Sequence, residues 1–457
     1  MVNLFLSALS GFILSTAFAP VGKWWCAPIA IALHMFVLNR SERKFTSVIA
    51  FALTYNLFLL HWTSIYVGAT PWLILVCGLT IFYLPLAAIS RWGIGAYPLL
   101  FLLLEELRNH FPFGGFGWGR VAYSQASSPY SIFARYGGAA GLSAIVLLLA
   151  LFLFRISQRR IQLWILFPLL ITLFPLHVVS DATTRALLIQ GNVPTYGLDF
   201  NARATQVFFN HVKESHKALA KNPNVDFLLW PENAVDVDPF ANVQVKKALD
   251  SFTKPLIVGA IVSKNGKIFN TSILWEKSGQ VIYTKQHLTP FGEYIPLRSL
   301  ASHISPLTDQ VVDFSPGSHP VSFTVGTAVI APVICYELLD DLIVANAAKS
   351  SNILAIQTNS ATFGMSAESA QQLAITRIRA IEHSRNVLSV STTGYSAIID
   401  YQGKIIDKTN MGIADHLYAT IGLISQQSPR DKYGDWVLIM TLIWLLVVAR
   451  RAYPYRR

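Results

Sequence analysis

The chain has 457 residues, 53% hydrophobic and only 13% charged, about half of the roughly 25% charged share of an average soluble protein. That composition excludes a wholly water-soluble globule, while the length accommodates two or three domains of about 100–200 residues each. Residues 1–180 hold 11 basic residues and three acidic ones, Glu42, Glu105 and Glu106; residues 181–449 hold 21 basic against 22 acidic, and the tail adds Arg450, Arg451, Arg456 and Arg457. The excess charge therefore sits beside apolar runs rather than on a folded polar domain, which speaks for the positive-inside rule and against nucleic-acid binding.

About 20 mostly apolar residues span a bilayer as a helix, because each residue rises 1.5 Å and the backbone bonds to itself. Spans are predicted near 3–19, 24–38, 47–66, 71–90, 93–107, 138–154 and 161–179, with an eighth near 435–449. With the N-terminus inside, the inner segments collect Arg40, Arg43, Lys44, Arg91, Arg155, Arg159, Arg160 and the four tail arginines, while only Lys23, Arg108, Arg120 and Arg135 fall outside. Seven spans precede the polar region and one follows, so that region is expected on the outer side of the membrane. Ala17-Phe18-Ala19 resembles a signal-cleavage site, but no positive charge precedes it and Pro20 follows, so the first span is expected to be retained.

From about 182 the pattern changes to short β-branched runs alternating with polar helical stretches, the mark of an α/β layered domain. Strands are predicted at Arg185–Gln190, Asp226–Trp230, Pro255–Val262, Thr271–Glu276, Val281–Lys285, Ala328–Ile334, Asn352–Gln357, Val387–Thr392 and Ser396–Tyr401, and helices at Ala202–Lys221 and Glu368–Asn386. The turns Lys264-Asn265-Gly266-Lys267 and Lys277-Ser278-Gly279-Gln280 read as hairpin connections.

Three strand ends carry unlike polar chemistry: Trp230-Pro231-Glu232, Tyr283-Thr284-Lys285, and Ile334-Cys335-Tyr336-Glu337. In α/β folds such ends converge on a shared crevice. Cys335 is the one cysteine of the polar region, since Cys26 and Cys77 fall in predicted spans. A thiol with its ordinary pKa of about 8.5 is mostly protonated at neutral pH and needs a base or a cation to become a strong nucleophile. Glu232 can serve as that base, and Lys285 can stabilise both the thiolate and an oxyanion. The main-chain N–H of Tyr336 becomes a second oxyanion donor if the strand turns sharply into a helix there. Taken singly, each has a plainer reading: a solvated carboxylate, a surface lysine, a small buried hydrophobe. His287 reads as a structural hydrogen-bonding residue, because no second His or Asp stands at metal-ligand spacing nearby, and no cofactor or metal is expected.

The words around these residues change the odds. Trp230-Pro231-Glu232, then Lys285-Gln286-His287-Leu288-Thr289-Pro290-Phe291-Gly292-Glu293-Tyr294-Ile295-Pro296, then Cys335-Tyr336-Glu337 resemble, in order and spacing, the nitrilase superfamily and within it the apolipoprotein N-acyltransferase family. Trp118-Gly119-Arg120, Tyr123-Ser124-Gln125 and Gln190-Gly191-Asn192 extend the resemblance into the apolar half. What it implies is an α/β, α-β-β-α nitrilase-like sandwich (181–434) on a polytopic α-helical membrane domain (1–180), followed by a last span and basic cytoplasmic tail (435–457). It further implies Glu232 as general base, Lys285 as oxyanion-stabilising lysine, Cys335 as acylated nucleophile, Glu293 as supporting glutamate, and Tyr336 and Glu337 as positions beside the nucleophile that activity needs. One departure is Thr362, where the family usually has a tryptophan.

The implied reaction takes an acyl chain from a phospholipid to the α-amino group of a diacylglyceryl cysteine at the N-terminus of a lipoprotein, through a cysteine thioester. Phospholipid, diacylated lipoprotein and membrane lipid are then the partners, in the bacterial cytoplasmic membrane, with the enzyme expected as a monomer and no nucleic acid involved. The apolar regions around Phe291 and Tyr196 are candidates for shielding the thioester from water. Two rivals are weaker. A tethered amidase or nitrilase acting on a small amide needs no seven spans. A transport or binding protein usually carries ionisable residues near mid-span, whereas Glu105, Glu106 and Arg108 fall at a span end.

Overall fold

The structure is a computed structural model and describes residues 1–173, 177–193, 204–304, 308 and 311–452. Tyr196, part of the predicted span 161–179, the start of the predicted helix at 202 and the tail residues Arg456 and Arg457 lie outside the described residues. The chain divides into two units, Met1–His177 with Ser428–Arg457, and Val178–Gln427.

In the first unit, the stretches Ala69–Ile89 and Pro129–Ser157, 21 and 29 residues, are long and apolar enough to cross a membrane, and Val2–Thr16, Cys26–Arg40, Lys44–Leu59 and Trp436–Arg450 are shorter apolar helices. The predicted span 93–107 is covered by the helix Tyr97–His110. The predicted span 161–179 differs: Leu163–Leu173 winds as 3₁₀ turns around Pro168, a residue that removes an N–H and clashes with the preceding turn of an α-helix. Leu4, Phe5, Phe58, Ile74, Ile443 and Trp444 point outward while Glu105, Arg108, Arg120 and Arg135 are buried. That inverted distribution suits a hydrocarbon solvent, in which polar groups must find partners inside. Glu105 accepts from the Val121 N–H at 2.6 Å and from Ser143 Oγ at 2.6 Å, Glu106 pairs with Arg120, and Arg108 donates to Tyr83 Oη at 3.1 Å. These acidic residues near the end of the helix thus serve to tie the loop after Tyr97–His110 to its neighbours.

The second unit holds β1 (Ala182–Gln190), β2 (Phe227–Leu229), β3 (Leu256–Lys264), β4 (Lys267–Glu276), β5 (Gly279–Thr284), β6 (Phe323–Val325), β7 (Ala328–Ile334), β8 (Ile353–Thr358), β9 (Val387–Ser391), β10 (Ala397–Ile399), β11 (Ile405–Lys408) and β12 (Asp415–Leu423). They form two six-stranded sheets, ordered β12-β1-β2-β3-β4-β5 and β11-β10-β9-β8-β7-β6. Central strands are parallel, β1 with β2 with β3 and β7 with β8 with β9, and strands such as β2 and β8 are buried along their whole length, as sheets covered on both faces require. Leu188, Leu229 and Ile257 of one sheet share a core with Ile330, Ile353 and Leu388 of the other. Outside the first sheet, the helices Ala204–Lys221 and Val243–Asp250 bury Phe208, Ala218, Val245 and Leu249 against it. The helices Asp341–Lys349 and Ala367–His383 cover the second sheet. The unit is therefore an α-β-β-α sandwich.

All nine predicted strands are present within a few residues. Three further strands, β6, β11 and β12, and the helices Val243–Asp250 and Arg298–Ile304 were not among those predicted. β12 is an edge strand in which Leu417, Ala419, Ile421 and Leu423 face inward and Tyr418 and Thr420 outward, an alternation legible in the sequence although no strand is predicted there. The Asn265-Gly266 turn between β3 and β4 has both residues at positive φ, +52° and +72°, as the favoured two-residue hairpin demands.

Candidate active site

Each candidate side chain hangs on a strand end. After β2 the chain turns through Pro231-Glu232, held by Gln357 Nε2 at the end of β8, which donates to the Trp230 carbonyl at 2.7 Å across the sheets. Buried Trp230 donates from its indole to Ser215 Oγ at 2.9 Å. The turn lies against β3 so closely that a Cβ on Gly259 would meet the Pro231 carbonyl oxygen at 2.3 Å and Glu232 Cα at 2.6 Å; only a glycine leaves room for Glu232 there.

Lys285 follows β5 and is 1% exposed, and Glu232 is 5% exposed. Lys285 Nζ lies 2.8 Å from Glu293 Oε2 and 3.4 Å from Glu232 Oε1, and donates to Thr289 Oγ1 at 3.3 Å. Asn270 on β4 bridges the two carboxylates, its Nδ2 donating to Glu232 Oε1 at 2.8 Å and to Glu293 Oε1 at 2.6 Å. Glu293 is further fixed by the Thr289 N–H at 2.7 Å.

Cys335 caps β7 at φ +50°, a left-handed conformation that a non-glycine residue adopts only when its surroundings impose it. The strand does turn sharply into the helical turn Cys335–Leu339, which is the condition set above for the Tyr336 N–H. The thiol is half-buried, Gln372 Nε2 lies 3.9 Å from Cys335 Sγ, and the charges of Glu232 and Lys285 both act on it. Glu232, Lys285, Glu293 and Cys335, distant in sequence, thus meet in one buried cluster.

Glu337 holds the cluster together from below. Its Oε1 accepts from Tyr283 Oη at 2.7 Å, the Gln286 N–H at 2.6 Å and the His287 N–H at 3.3 Å, and its Oε2 accepts from the Ile334 N–H at 2.8 Å. The His287 ring bonds Asp340 through Nδ1 at 2.9 Å and packs edge-on to Tyr336. Buried Arg379 donates to the Leu338 carbonyl at 2.8 Å and pairs with Asp341 at 2.7 Å, locking the far end of the same turn. Phe291 is exposed, at φ +63°, and Thr362 is half-buried in the turn Ser360–Phe363 after β8.

Burial governs the charges. It pushes the Glu232 carboxyl up, against the pull of Lys285. It pushes the Cys335 thiol up as well, the Glu232 charge adding to this and Lys285 opposing. Burial alone would lower Lys285, yet Glu293 and Glu232 hold its ammonium above its ordinary range; Glu293, though buried, is held down by Lys285. Burial brings Glu337 up to about 7. The arrangement is an ammonium flanked by two carboxylates, Glu293 held down and Glu232 pushed up, beside a thiol whose proton burial retains.

Sequence reasoning did not single out Asn270, Gln372 or Glu368. Asn270 carries a faint signal, an amide on an otherwise β-forming strand; the two on the helix Ala367–His383 look like any polar helical residues until the fold turns that face toward Cys335.

The chain's similarities agree with this architecture. The profile described as apolipoprotein N-acyltransferase N-terminal domain matches residues 10–152, and that described as carbon-nitrogen hydrolase matches residues 188–428. An apolipoprotein N-acyltransferase of Mycolicibacterium smegmatis is 32% identical, over 96% of this chain and 84% of its own length, and one of Geobacter metallireducens is 28% identical, over 98% and 95%. Among solved structures, Saccharomyces cerevisiae Nit3, a member of the nitrilase superfamily, aligns with a TM-score of 0.41 at 17% identity, covering 54% of this chain and 93% of that one. With a nitrilase-like unit in its second half and matching relatives along nearly its whole length, this chain belongs to the apolipoprotein N-acyltransferase family of membrane acyltransferases.

Proposed function

We propose that the protein moves an acyl chain from a phospholipid to the N-terminal amino group of the diacylglyceryl cysteine of lipoproteins, by way of a thioester on Cys335. Glu232 takes the thiol proton as sulfur attacks the ester carbonyl. Lys285 and the Tyr336 N–H stabilise the oxyanion; the C–O bond breaks, and Glu232 returns the proton to the leaving lysophospholipid. The acceptor amine then attacks the thioester, its proton passing through Glu232 to the departing sulfur. The observation that carries this reading is the buried cluster in which Glu232 lies 3.4 Å from Lys285 and the charges of both act on the Cys335 thiol.

Both substrates carry acyl chains, and moving such chains into water costs about 0.8 kcal/mol per CH₂, so the reaction belongs at a bilayer. The apolar runs of the sequence support about eight spans, seven within 1–180 and one within 435–457, and the distribution of Lys and Arg between them supports an inside N-terminus. It also supports a catalytic domain at 181–434 on the extracytoplasmic side of the bacterial cytoplasmic membrane. Phe291, exposed beside Glu293, is suited to covering the thioester.

Purified enzyme incubated with phospholipid is expected to gain one acyl mass, and Cys335→Ala none; an adduct surviving in that variant removes Cys335 from the role. Addition of a diacylated lipopeptide should discharge the adduct as triacylated product, whereas release of ammonia from amides without lipid acylation would establish the amidase reading instead.

A further inference from the structure

The helix Ala367–His383 presents to the reaction centre a carboxylate that the acylation chemistry leaves unused. Glu368 lies in its first turn and is 2% exposed. Four residues on, and so on the same helix face, Gln372 approaches Cys335 Sγ at 3.9 Å. The charge of Glu368 raises the Cys335 thiol, and the charge of Glu232 raises Glu368 in turn, so the carboxylate stands on the reaction side of the helix.

Ser360 lies close enough to favour the charged form of this carboxylate. Ser391 Oγ lies 3.4 Å from Ser360 Oγ and itself accepts from the Gly394 N–H at 3.1 Å, which fixes that side of the group. Glu368 Oε2 is buried and has no partner among the described residues. Buried carboxylate oxygens are almost always met by a donor, and an unmet one beside a nucleophile suits a donor that arrives with substrate. The ester and phosphate of a phospholipid offer acceptors and negative charge there; an ammonium, whether a head-group amine or the acceptor's α-amino group, offers three donors and a positive charge.

Resting on the acyltransferase reading above, we propose that Glu368 Oε2 binds the α-amino group of the incoming diacylglyceryl cysteine and holds its nitrogen against the Cys335 thioester. The ammonium gives one proton to the Glu368 carboxylate, which later releases it to solvent. The neutral nitrogen attacks the thioester carbonyl; the C–N bond forms as the C–S bond breaks, and the second proton moves through Glu232 to the sulfur, restoring the thiol. Burial pushes Glu368 up to about 7, close to the roughly 7.7–8.0 of an α-amino group, so the first transfer runs at little cost in either direction.

The test separates the two half-reactions in the full-length enzyme. Acylation is followed as the Cys335 adduct formed from phosphatidylethanolamine, and transfer as discharge of that adduct by a synthetic diacylglyceryl-cysteinyl peptide. In Glu368→Gln the discharge should slow about tenfold or more, with a raised KM for the peptide, while acylation falls far less. Discharge by hydroxylamine, a neutral amine needing no ammonium site, should stay at the parental rate, and Ser360→Ala should show a smaller loss in the same half-reaction. Parental discharge by the peptide in Glu368→Gln overturns the assignment, as does a loss of acylation as large as the loss of transfer, which would place the head-group ammonium at Glu368 instead. Absence of any adduct in the parent enzyme would overturn the thioester reading itself, and the Glu368 assignment with it.

Discussion

Glu337 Oε1 accepts from the Gln286 N–H at 2.6 Å, so the residue two after the nucleophile holds the residue next to the lysine. Through this one carboxylate, which also takes the Ile334 N–H at 2.8 Å, the strand end carrying Cys335 and the strand end carrying Lys285 move as one piece. Four donors converge on two oxygens, which suits a carboxylate and nothing else of that shape. In Glu337→Gln one amide N–H₂ must face an N–H or O–H, a loss of about 1–3 kcal/mol. A clear fall in the thermal midpoint, together with slower acylation, is expected; an unchanged midpoint would mean that the tie does not hold the turn.

Lys285 neutralises two buried carboxylates. Removing one partner of a buried ion pair costs about 3–5 kcal/mol because the other charge stays behind uncompensated. Lys285→Met should therefore both abolish acyl-adduct formation and lower resistance to denaturant. Pairing it with Glu293→Gln should recover part of the stability but none of the activity, which denaturant titration of the two variants checks.

The pH profile of acylation carries a signed expectation. Glu232 must be ionised to accept the thiol proton, and burial, with a further push from Glu293, raises its pKa. Activity should thus rise with pH along a limb lying above the range of an ordinary glutamate, about 4.3. Glu293→Gln removes one of the raising charges, so the limb should move to lower pH even as the rate falls. Single-turnover acylation across pH reads this; a limb moving upward would contradict the placement of Glu293 beside the base.

Gly259 tests the approach of the Pro231-Glu232 turn to β3. In Gly259→Ala the new Cβ meets backbone at 2.3 and 2.6 Å, which cannot be relieved by a side-chain rotation. The expected cost is about 1–3 kcal/mol of overpacking, with Glu232 displaced from the thiol and acylation slowed about tenfold or more, as positioning errors of this size produce. Expression and membrane insertion should be retained, and the adduct rate is the quantity to measure.

Read along the chain alone, apolar runs, charge bias and β-branched segments bounded by Gly and Pro disclosed an apolar half, a layered α/β half and the positions of nine strands. These are local properties: hydrophobic length, side-chain alternation and turn chemistry are each written within about 20 residues. Glu232, Lys285 and Cys335 were nameable because each ends a strand in a distinctive word. What the residues nearby do was not nameable. That Asn270 bridges two glutamates, that Glu337 faces the Lys285 loop rather than solvent, and that Glu368 looks toward Cys335 depend on sheet order and on which face of a helix is buried. Those are set by packing between segments distant along the chain, 23 and 38 residues for Asn270 and its two glutamates and 51 for Glu337 and Gln286, and no local pattern encodes such distances.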